Sequence, residues 1–283
     1  MQKEVFNVVF GLARKQPWLT NKVDILSELL YKECNSEKER ALILDLLERF
    51  TYVSGSKFSE LTNELVEEIV TDPDLTEETT QIVAMTGDYN ADSAQLVTYA
   101  LKMPFERQGW RNHATVTNFQ KALRQYKKSN EQHSNIILVD EFIGSGKTVI
   151  GRVKTLTQQF ENAGVTNFNI KVKVLAASSV GIRNVNKANI ELSALLTVEQ
   201  GITEYYDPLL VEEKLELMDR LESILSTDFQ NRPLPKHGYG GTESLYTRDD
   251  GNTPNSVFPI FWWPFLTNHS NRNTLLIRAM GDA

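Results

Sequence analysis

The apolar positions of the first 75 residues recur at intervals of three and four. This spacing places them on one side of a helix in KVDILSELLYKE, EKERALILDLLERFTYV and FSELTNELVEEIV. Ser36 precedes the second segment and Glu39 stands three residues later, which is the spacing of a capping box. We therefore predict a helical region over residues 1–75, whose apolar stripes pack together or bind a partner protein.

The pattern changes after TDPDLTEETT, where proline and polar residues separate two periodic regions. Short apolar runs then alternate with amphipathic segments, as in TQIVAMTGD, YNADSAQLVTYALK, SNIILVDEF, TVIGRVKTLTQQFENAG and FNIKVKVLAASSV. KANIELSALLTVE is ambiguous, and PLLVEEKLELMDRLESILS is an amphipathic helix. Strands joined by crossover helices predict an α/β fold over residues 76–283, with a mainly parallel sheet flanked by helices. Glycine, proline and aromatic residues predict a loop-rich hood from about residue 230.

Composition limits the kinds of partner. The formal net charge of −7 argues against nucleic-acid binding through a broad basic surface. Basic residues do concentrate between Arg107 and Lys128, but such runs are commonly solvated helix faces. A single cysteine, Cys34, excludes an internal disulfide. The longest apolar run, VFPIFWWPFL, is about half the length that spans a bilayer. We expect a cytoplasmic protein without direct contacts to membrane or nucleic acid.

The segment NIILVDEFIGSGKT carries the most specific chemical signal. It ends like a nucleotide-triphosphate loop, but that loop needs a glycine at the position of Glu141 so that it can wrap a phosphate. The apolar run instead predicts a buried strand that delivers Asp140 and Glu141 to its carboxyl end, where carboxylates accept hydrogen bonds from sugar hydroxyls. The small residues that follow open a helix, whose N–H groups favour a phosphate. The segment therefore fits a phosphorylated pentose.

The run VDEFIGSGKT resembles the phosphoribosyl pyrophosphate (PRPP) loop of type I phosphoribosyltransferases. By this resemblance Asp140 and Glu141 hold the ribose hydroxyls and are the catalytic candidates, and they are also the candidate ligands of the Mg²⁺ expected with PRPP. The turn that follows cradles the 5′-phosphate. The substrate-binding candidates of this turn are Ile143, Gly144, Ser145, Gly146, Lys147 and Thr148. The alternative is an acidic turn formed by chance.

The resemblance implies a pyrophosphate-binding loop after the first strand. It corresponds to MTGDYNADS, with Gly87 and Asp88 as candidates, although this loop contains no lysine or arginine. Arg111 is a further candidate from the following segment, with a surface position as the alternative. Trp262 is a candidate for stacking on a nucleobase, with a place in the hydrophobic core as the alternative.

Gly144 departs from the purine-salvage members of the family, which carry an aspartate at this loop position. That acid assists proton transfer at the base, and such assistance contributes about 10²–10⁴-fold to a rate. Two interpretations therefore stay open. The protein is either a pentosyl-transferring enzyme or an inactive module that senses PRPP or a nucleotide and regulates a partner bound to the N-terminal region. The variant loop and the glycine- and aromatic-rich tail also resemble phosphoribosyltransferase-like proteins of bacterial anti-phage systems, some encoded beside retrons.

Overall fold

The computed structural model describes residues 3–87 and 92–282. Its α-helices are α1 (Lys3–Lys15), α2 (Val23–Glu28), α3 (Glu37–Glu48), α4 (Gly55–Val70), α5 (Ser93–Ala100), α6 (Lys102–Arg107), α7 (Ala122–Lys128), α8 (Lys147–Asn162), α9 (Ser179–Lys187) and α10 (Pro208–Glu222). Its strands are β1 (Thr51–Val53), β2 (Thr80–Ala84), β3 (Ala114–Val116), β4 (Asn135–Ile143), β5 (Asn169–Ser178), β6 (Leu192–Val198), β7 (Asp228–Phe229), β8 (Arg232–Pro233) and β9 (Tyr246–Arg248). Shorter helical turns cover Pro17–Lys22, Leu29–Glu33, Phe119–Lys121, Pro259–Phe261 and Met280–Asp282.

The chain forms two compact units. The first unit combines Met1–Val53 with Val198–Ala283, and the second comprises Ser54–Thr197. These boundaries differ from the predicted division into residues 1–75 and 76–283. Helix α4 belongs to the second unit, and the C-terminal segment shares a hydrophobic core with helices α1 to α3.

A parallel sheet forms the centre of the second unit. The strand order in the described residues is β3-β2-β4-β5-β6, and strands β2 to β5 pair in parallel. Every residue of β2 is buried, as is the run from Ile136 to Val139 of β4. Continuous burial of this kind is typical of parallel strands covered by helices on both faces. The predicted α/β fold class is confirmed.

Two buried lysines of β5 account for the place of α4 in the second unit. Lys171 Nζ lies 3.0 Å from Asp72 Oδ2 and 3.2 Å from Glu191 Oε1, while Lys173 Nζ lies 2.6 Å from Glu68 Oε1. A charge so far removed from water is tolerated only when it is paired. These ion pairs attach the end of α4 and the residues that follow it to the sheet.

The first unit is built around aromatic side chains. Trp262 and Trp263 are buried, and the ring of Trp18 stacks on that of Tyr52 with centroids 5.2 Å apart. The apolar stripes of α1 and α3 lie in the same core. Their burial supports the packing interpretation of these stripes over partner docking. Within the described residues, no helix combines the length and the apolar character needed to cross a bilayer.

The carboxyl of Glu222 gives the first unit a pH dependence. The side chain is fully buried at the end of α10, where it accepts a hydrogen bond from the backbone N–H of His237 at 3.1 Å. Burial raises the pKa of this carboxyl to about 8. Because the unfolded chain releases the proton near pH 4.5 and the folded chain retains it to about pH 8, stability falls across that interval.

We therefore expect Glu222→Gln to be more stable than the wild type at pH 8 and close to it at pH 5. The amide carries no proton to lose, so this component of the pH dependence disappears. Each kcal/mol added to the free energy of unfolding raises the melting temperature by about 2–4 °C in a chain of this size. Thermal denaturation across pH 5–9 measures the effect, with the exposed Glu216→Gln on the same helix as control. Parallel curves for the wild type and Glu222→Gln would contradict it.

Candidate functional site

The candidate site lies where the connections of the parallel sheet diverge. Pairing of β2 with β4 ends at Ala84 and Val139, and Asp140 follows directly. The chain leaves β2 towards β3 on one side, whereas it leaves β4 towards β5 on the other. Ligands of open α/β sheets bind in the crevice at the carboxyl ends of strands that diverge in this way. The topology therefore places Asp140 at the expected position of a ligand.

Hydrogen bonds from neighbouring described residues hold Asp140 in place. Its carboxylate accepts one from Ser93 Oγ at 2.8 Å, at the N-terminus of α5, and one from the backbone N–H of Glu141 at 2.7 Å. Partial removal from water nevertheless raises the pKa of this carboxyl to about 7, and the nearby charges of Asp92 and Glu141 act in the same direction. In the free protein at neutral pH, Asp140 therefore populates both the protonated acid and the carboxylate.

Glu141 differs from Asp140 in its surroundings. It is 5% exposed, compared with the partly accessible Asp140. The sequence predicted both acids at the carboxyl end of β4, and in the structure the strand runs past them, because pairing with β5 continues to Ile143. Successive residues of a strand point to opposite faces, so the two carboxylates leave β4 in different directions. Asp140 is thus the more accessible of the two.

The turn after β4 is shaped by helix α9. Ser178 Oγ donates a hydrogen bond to the Gly144 carbonyl at 2.7 Å, and Asn184 Nδ2 donates to the Ser145 carbonyl at 3.0 Å. In a trans peptide the carbonyl and the next N–H point in opposite directions. The N–H groups of Ser145 and Gly146 therefore point away from α9.

Gly146 completes the turn in a left-handed conformation. Its φ angle is +79°, and a Cβ atom here would lie 3.0 Å from the Gly181 carbonyl oxygen. Both features restrict the position to glycine. Lys147 and Thr148 follow as exposed residues in the first turn of α8, where backbone N–H groups have no intrahelical acceptor. Such a helix N-terminus favours an anion.

Arg152 lies against the predicted pyrophosphate loop, and the sequence did not identify it as a neighbour of that loop. Its guanidinium lies against Gly87, where an added Cβ would come within 2.2 Å of the guanidinium. The guanidinium carbon also lies 4.5 Å from the centroid of the Phe119 ring. Arg152 stands four residues after Thr148 on α8, and residues spaced by four share a helix face. That spacing is the sequence signal that could have identified it.

Gly87 lies in the predicted pyrophosphate loop after β2. Asp88, the second candidate of this loop, lies outside the described residues. The described residues on either side are linked, because the Thr86 hydroxyl donates a hydrogen bond to the Asp92 carboxylate. Asp92 also caps α5 by accepting from the Gln95 N–H at 3.1 Å. The N-terminus of α5 is thereby fixed beside Asp140.

The structure does not bring Arg111 to this site. Arg111 precedes β3, so it lies at the amino-terminal edge of the parallel sheet, whereas Asp140 lies towards the carboxyl-terminal edge. Its exposed side chain pairs with Glu106 at 2.7 Å. The structure therefore places Arg111 at the surface, which is the position that the alternative describes. Ile143 is 4% exposed and packs in the core of the second unit, so its side chain offers no ligand contact.

Trp262 belongs to the first unit. It is 1% exposed, and its indole N–H donates to the Val257 carbonyl at 2.9 Å. The core alternative therefore describes Trp262 better than an open stacking surface. The ring does contribute to the lining of a cavity of about 570 Å³, together with Arg232, Lys236 and Tyr239.

The acids at the site suit a metal that is bound mainly through its substrate. Among the described residues, no group of three or more histidine, cysteine or acidic side chains is arranged to hold a metal ion. Mg²⁺ commonly uses one or two carboxylates together with substrate phosphates and water. Asp140 and Glu141 are donors of the right kind for that arrangement.

Comparisons with solved structures return phosphoribosyltransferases. Orotate phosphoribosyltransferase from Aeropyrum pernix is 16% identical, with 57% of this chain and 76% of that chain covered and a TM-score of 0.30. Xanthine-guanine-hypoxanthine phosphoribosyltransferase from Helicobacter pylori is 12% identical, with 53% of this chain and 84% of that chain covered and a TM-score of 0.31. A hypothetical protein from Neisseria gonorrhoeae with bound ppGpp is 14% identical, with 60% of this chain and 97% of that chain covered and a TM-score of 0.33.

No curated protein matches the chain. A family model described as PRTase-CE matches residues 18–278, which include both compact units almost completely. The match therefore extends well beyond the acidic strand and glycine turn that first suggested a phosphoribosyltransferase-like protein. The chain belongs to the PRTase-CE family.

Proposed function

We propose that the protein binds a ligand containing ribose 5-phosphate, PRPP with Mg²⁺ in the leading case, at the carboxyl ends of β2 and β4. One observation carries this proposal. A partly accessible carboxylate at the point where the sheet connections diverge is followed, within the same segment, by a turn whose N–H groups point away from its supporting helix. These two features suit the two ends of a phosphorylated pentose.

In this proposal the accessible Asp140 accepts hydrogen bonds from the ribose hydroxyls, and Glu141, which is buried on the other face of β4, contributes after its side chain turns towards the ligand. Charge-assisted hydrogen bonds of this kind contribute about 1.5–3 kcal/mol each. The turn from Gly144 to Thr148 binds the 5′-phosphate through backbone N–H groups and the N-terminus of α8. Because the pKa of Asp140 lies at about 7, ligand binding favours the carboxylate and releases a proton near neutral pH.

The proposed reaction is pentosyl transfer at ribose C1. The bond between C1 and the leaving group breaks, and a bond from C1 to a nucleophile forms. Bound Mg²⁺ would balance the charge of a departing diphosphate. The chain would contribute positioning and a field of fixed charges around the electron-poor pentose, without a covalent intermediate. Gly144 offers no side-chain acid, so proton transfer would not come from this loop position.

The alternative is an inactive module that binds the same ligand and regulates a partner protein. The absence of an acid at Gly144 favours this interpretation. Mass spectrometry of the protein incubated with PRPP, Mg²⁺ and a mixture of nucleobases separates the two. Release of pyrophosphate that stops in Glu141→Gln supports the enzyme, whereas binding without turnover supports the sensor.

We expect Mg²⁺-PRPP to raise the melting temperature of the wild type and to leave Asp140→Asn with Glu141→Gln unchanged. A ligand at 100 times its Kd stabilises a protein by about 2.7 kcal/mol, and the double variant removes both hydroxyl acceptors. Asp140→Asn alone should lose more of the shift than Glu141→Gln alone, since Asp140 is more accessible. Glu161→Gln, an exposed carboxylate change on α8, is the matched control. A wild type that shows no shift at millimolar ligand would eliminate this proposal.

The resemblance to conflict-system proteins supports a biological role as a cytoplasmic effector in bacterial anti-phage defence. Plaque counts on cells that carry the gene with its neighbours test this role. The proposal predicts that protection is lost in the Asp140→Asn, Glu141→Gln variant. Protection that persists in that variant would separate any defence role from the pentose site.

A further inference from the structure

Basic side chains gather in one stretch of an otherwise acidic chain. Between Arg107 and Asn130 the sequence contains six lysine and arginine residues and no aspartate or glutamate, whereas the whole chain has 37 acidic and 30 basic residues. Such a run is commonly a solvated helix face. In the structure, part of this run instead lines a recess of the second unit, between β3 and α7.

The recess has a volume of about 280 Å³. Its lining carries three cations, two hydroxyls and one amide, which belong to Lys121, Arg124, Lys128, Thr115, Thr117 and Gln125. None of the described residues that line it is acidic. Each polar group of this lining can donate a hydrogen bond. The recess therefore suits an anion that presents several oxygen atoms.

The packing of α7 directs its cations to this recess. Ala122 and Tyr126 are buried in the core of the second unit, so this side of the helix is fixed against the sheet. Residues three and four apart share one side of a helix, and Lys121, Arg124 and Lys128 have this spacing. All three are exposed. The helix thus presents a row of cations beside the face that it buries.

Strand β3 supplies the other wall of the recess. It is the last strand on its side of the sheet in the described residues, where it pairs with β2. Val116 is buried, whereas Thr115 and Thr117 are exposed, as expected for the alternating side chains of a strand. Because no described strand covers this edge, an extended ligand can reach both walls.

The cations of the recess lack partners of opposite charge. Within residues 3–87 and 92–282, Lys121, Arg124 and Lys128 form no ion pair and no contact with an aromatic ring. The lysines of β5 differ from them, since Lys171 and Lys173 are paired with acids. Like charges three and four residues apart destabilise a helix slightly. A bound anion would remove this repulsion.

The length of the row matches a short run of phosphates. Seven residues separate Lys121 from Lys128, which is about 10 Å along a helix axis. One strand of B-form DNA carries a charge every 3.4 Å or so of axis, so about three successive phosphates fit this length. None of the described lining residues is aromatic, so the recess offers no ring on which a base could stack.

We propose that the recess between β3 and α7 binds the phosphate backbone of a nucleic-acid strand without reading its bases. Lys121, Arg124 and Lys128 pair with successive phosphates, and the threonine hydroxyls of β3 donate to their oxygens. The net charge of −7 argues against a broad basic surface, but the recess needs only a local one. Exposed acids farther away than about 10 Å are largely screened at 0.1 M salt. This inference does not rest on the proposed pentose site.

The test measures binding of a fluorescently labelled single strand of mixed sequence, about 20 nucleotides long, by anisotropy at several KCl concentrations. Counterion release lowers the logarithm of the association constant by about 0.7 per phosphate contact for each tenfold rise in salt, so three cations predict a slope of about −2. Lys121→Gln, Arg124→Gln and Lys128→Gln should each reduce this slope by about 0.7. Each should weaken binding about eightfold at 50 mM KCl, the factor that one such contact gains between 1 M and 50 mM salt.

Lys127→Gln is the matched control. Lys127 is exposed on the same helix, and it does not line the recess. The substitution removes the same charge, so affinity within about twofold of the wild type and an unchanged slope are expected if the recess is the site. Melting curves of the four variants should coincide with that of the wild type, because all four side chains are exposed.

Competing ligands identify the kind of anion. Single-stranded DNA and RNA of equal length should bind alike, since only phosphates are contacted. Inorganic triphosphate should compete about tenfold less well than the strand, because the strand offers many equivalent registers. A triphosphate as effective as the strand would assign the recess to a small anion and overturn the inference. Losses in Lys127→Gln equal to those of the recess variants, or a wild type that binds no strand at 50 mM KCl, would also overturn it.

The outcomes are separate from those of the pentose site. Ribose 5-phosphate is the probe for that site, and a labelled strand is the probe for the recess. A protein that binds the strand through Lys121, Arg124 and Lys128 and does not bind ribose 5-phosphate would support this inference and reject the pentose site. The reverse result would overturn this inference and leave the pentose site intact.

Discussion

Gly181→Ala is expected to weaken Mg²⁺-PRPP binding by about tenfold, although in our proposal Gly181 does not contact the ligand. A Cβ at position 181 would lie 2.1 Å from the Gly144 carbonyl oxygen and 3.1 Å from Ile143 Cγ2. The backbone of the phosphate-binding turn would have to move away from α9, which breaks the hydrogen bond from Ser178 to Gly144. Overpacking of this kind costs about 1–3 kcal/mol, and a factor of ten in Kd corresponds to about 1.4 kcal/mol.

Gly151→Ala is the matched control for this substitution. Gly151 lies in α8, and a Cβ added there would meet no atom within 4 Å. The change should raise the stability by about 0.5–1 kcal/mol through helix propensity and leave ligand binding unchanged. Calorimetric titration and thermal denaturation of both variants make the comparison. If Gly181→Ala bound the ligand as tightly as Gly151→Ala, α9 would not set the geometry of the turn.

Asp140→Asn is expected to lose ligand binding and to stabilise the ligand-free protein at pH 8. Burial raises the pKa of Asp140 from 3.8 to about 7, so the folded chain holds a proton that the unfolded chain releases. Stability therefore falls as the pH rises from about 4 to 7, and it stays lower above pH 7. An asparagine carries no such proton and can still accept the hydrogen bond from Ser93. An increase of about 1 kcal/mol in the free energy of unfolding would raise the melting temperature by about 2–4 °C.

The same ionisation sets the pH dependence of ligand binding. If the carboxylate is the form that accepts the ribose hydroxyls, the affinity of the wild type falls about tenfold for each pH unit below 7 and levels off above it. Ribose 5-phosphate titrations between pH 5.5 and 8.5 measure this profile, after correction for the second ionisation of the phosphate, which is titrated in the ligand alone. A flat profile in the wild type, or an Asp140→Asn protein that is less stable at pH 8, would contradict the assigned role.

The acidic strand and its turn could be predicted because one continuous segment carries both features. The apolar run before Asp140 predicts the buried strand, and Gly144 to Thr148 predict a turn that opens a helix. The position of the site at the carboxyl ends of parallel strands could be predicted from the alternation of strands and helices along the chain. The extension of β4 past the acids to Ile143 was not predicted, because it depends on pairing with β5.

Arg152 and α9 escaped prediction because their roles depend on distant contacts. The four-residue spacing places Arg152 on the same face of α8 as Thr148, but it does not show that Gly87 is its neighbour. Helix α9 is short and polar, and a glycine such as Gly181 more often indicates a turn than a helix. The contacts that Ser178 at the end of β5, and Gly181 and Asn184 in α9, make with the turn form only when β5 is paired beside β4.

The division into units also required the structure. An amphipathic pattern shows that a helix buries one face, but it does not show which element covers that face. Helix α4 resembles the preceding helices in its pattern, yet the ion pairs of Lys171 and Lys173 attach its C-terminal end to the sheet. The hood-like C-terminal segment shares its core with α1 to α3 instead, and Trp262 is part of that core.

A crystal structure of the wild type with ribose 5-phosphate tests the pentose site most directly, since this fragment is common to PRPP and to nucleotides. We expect the phosphate on the N–H groups of residues 144–148 and the sugar hydroxyls within hydrogen-bonding distance of Asp140. Ribose 5-phosphate bound elsewhere on the chain, or a fully loaded crystal whose turn and Asp140 contact no ligand atom, would contradict it.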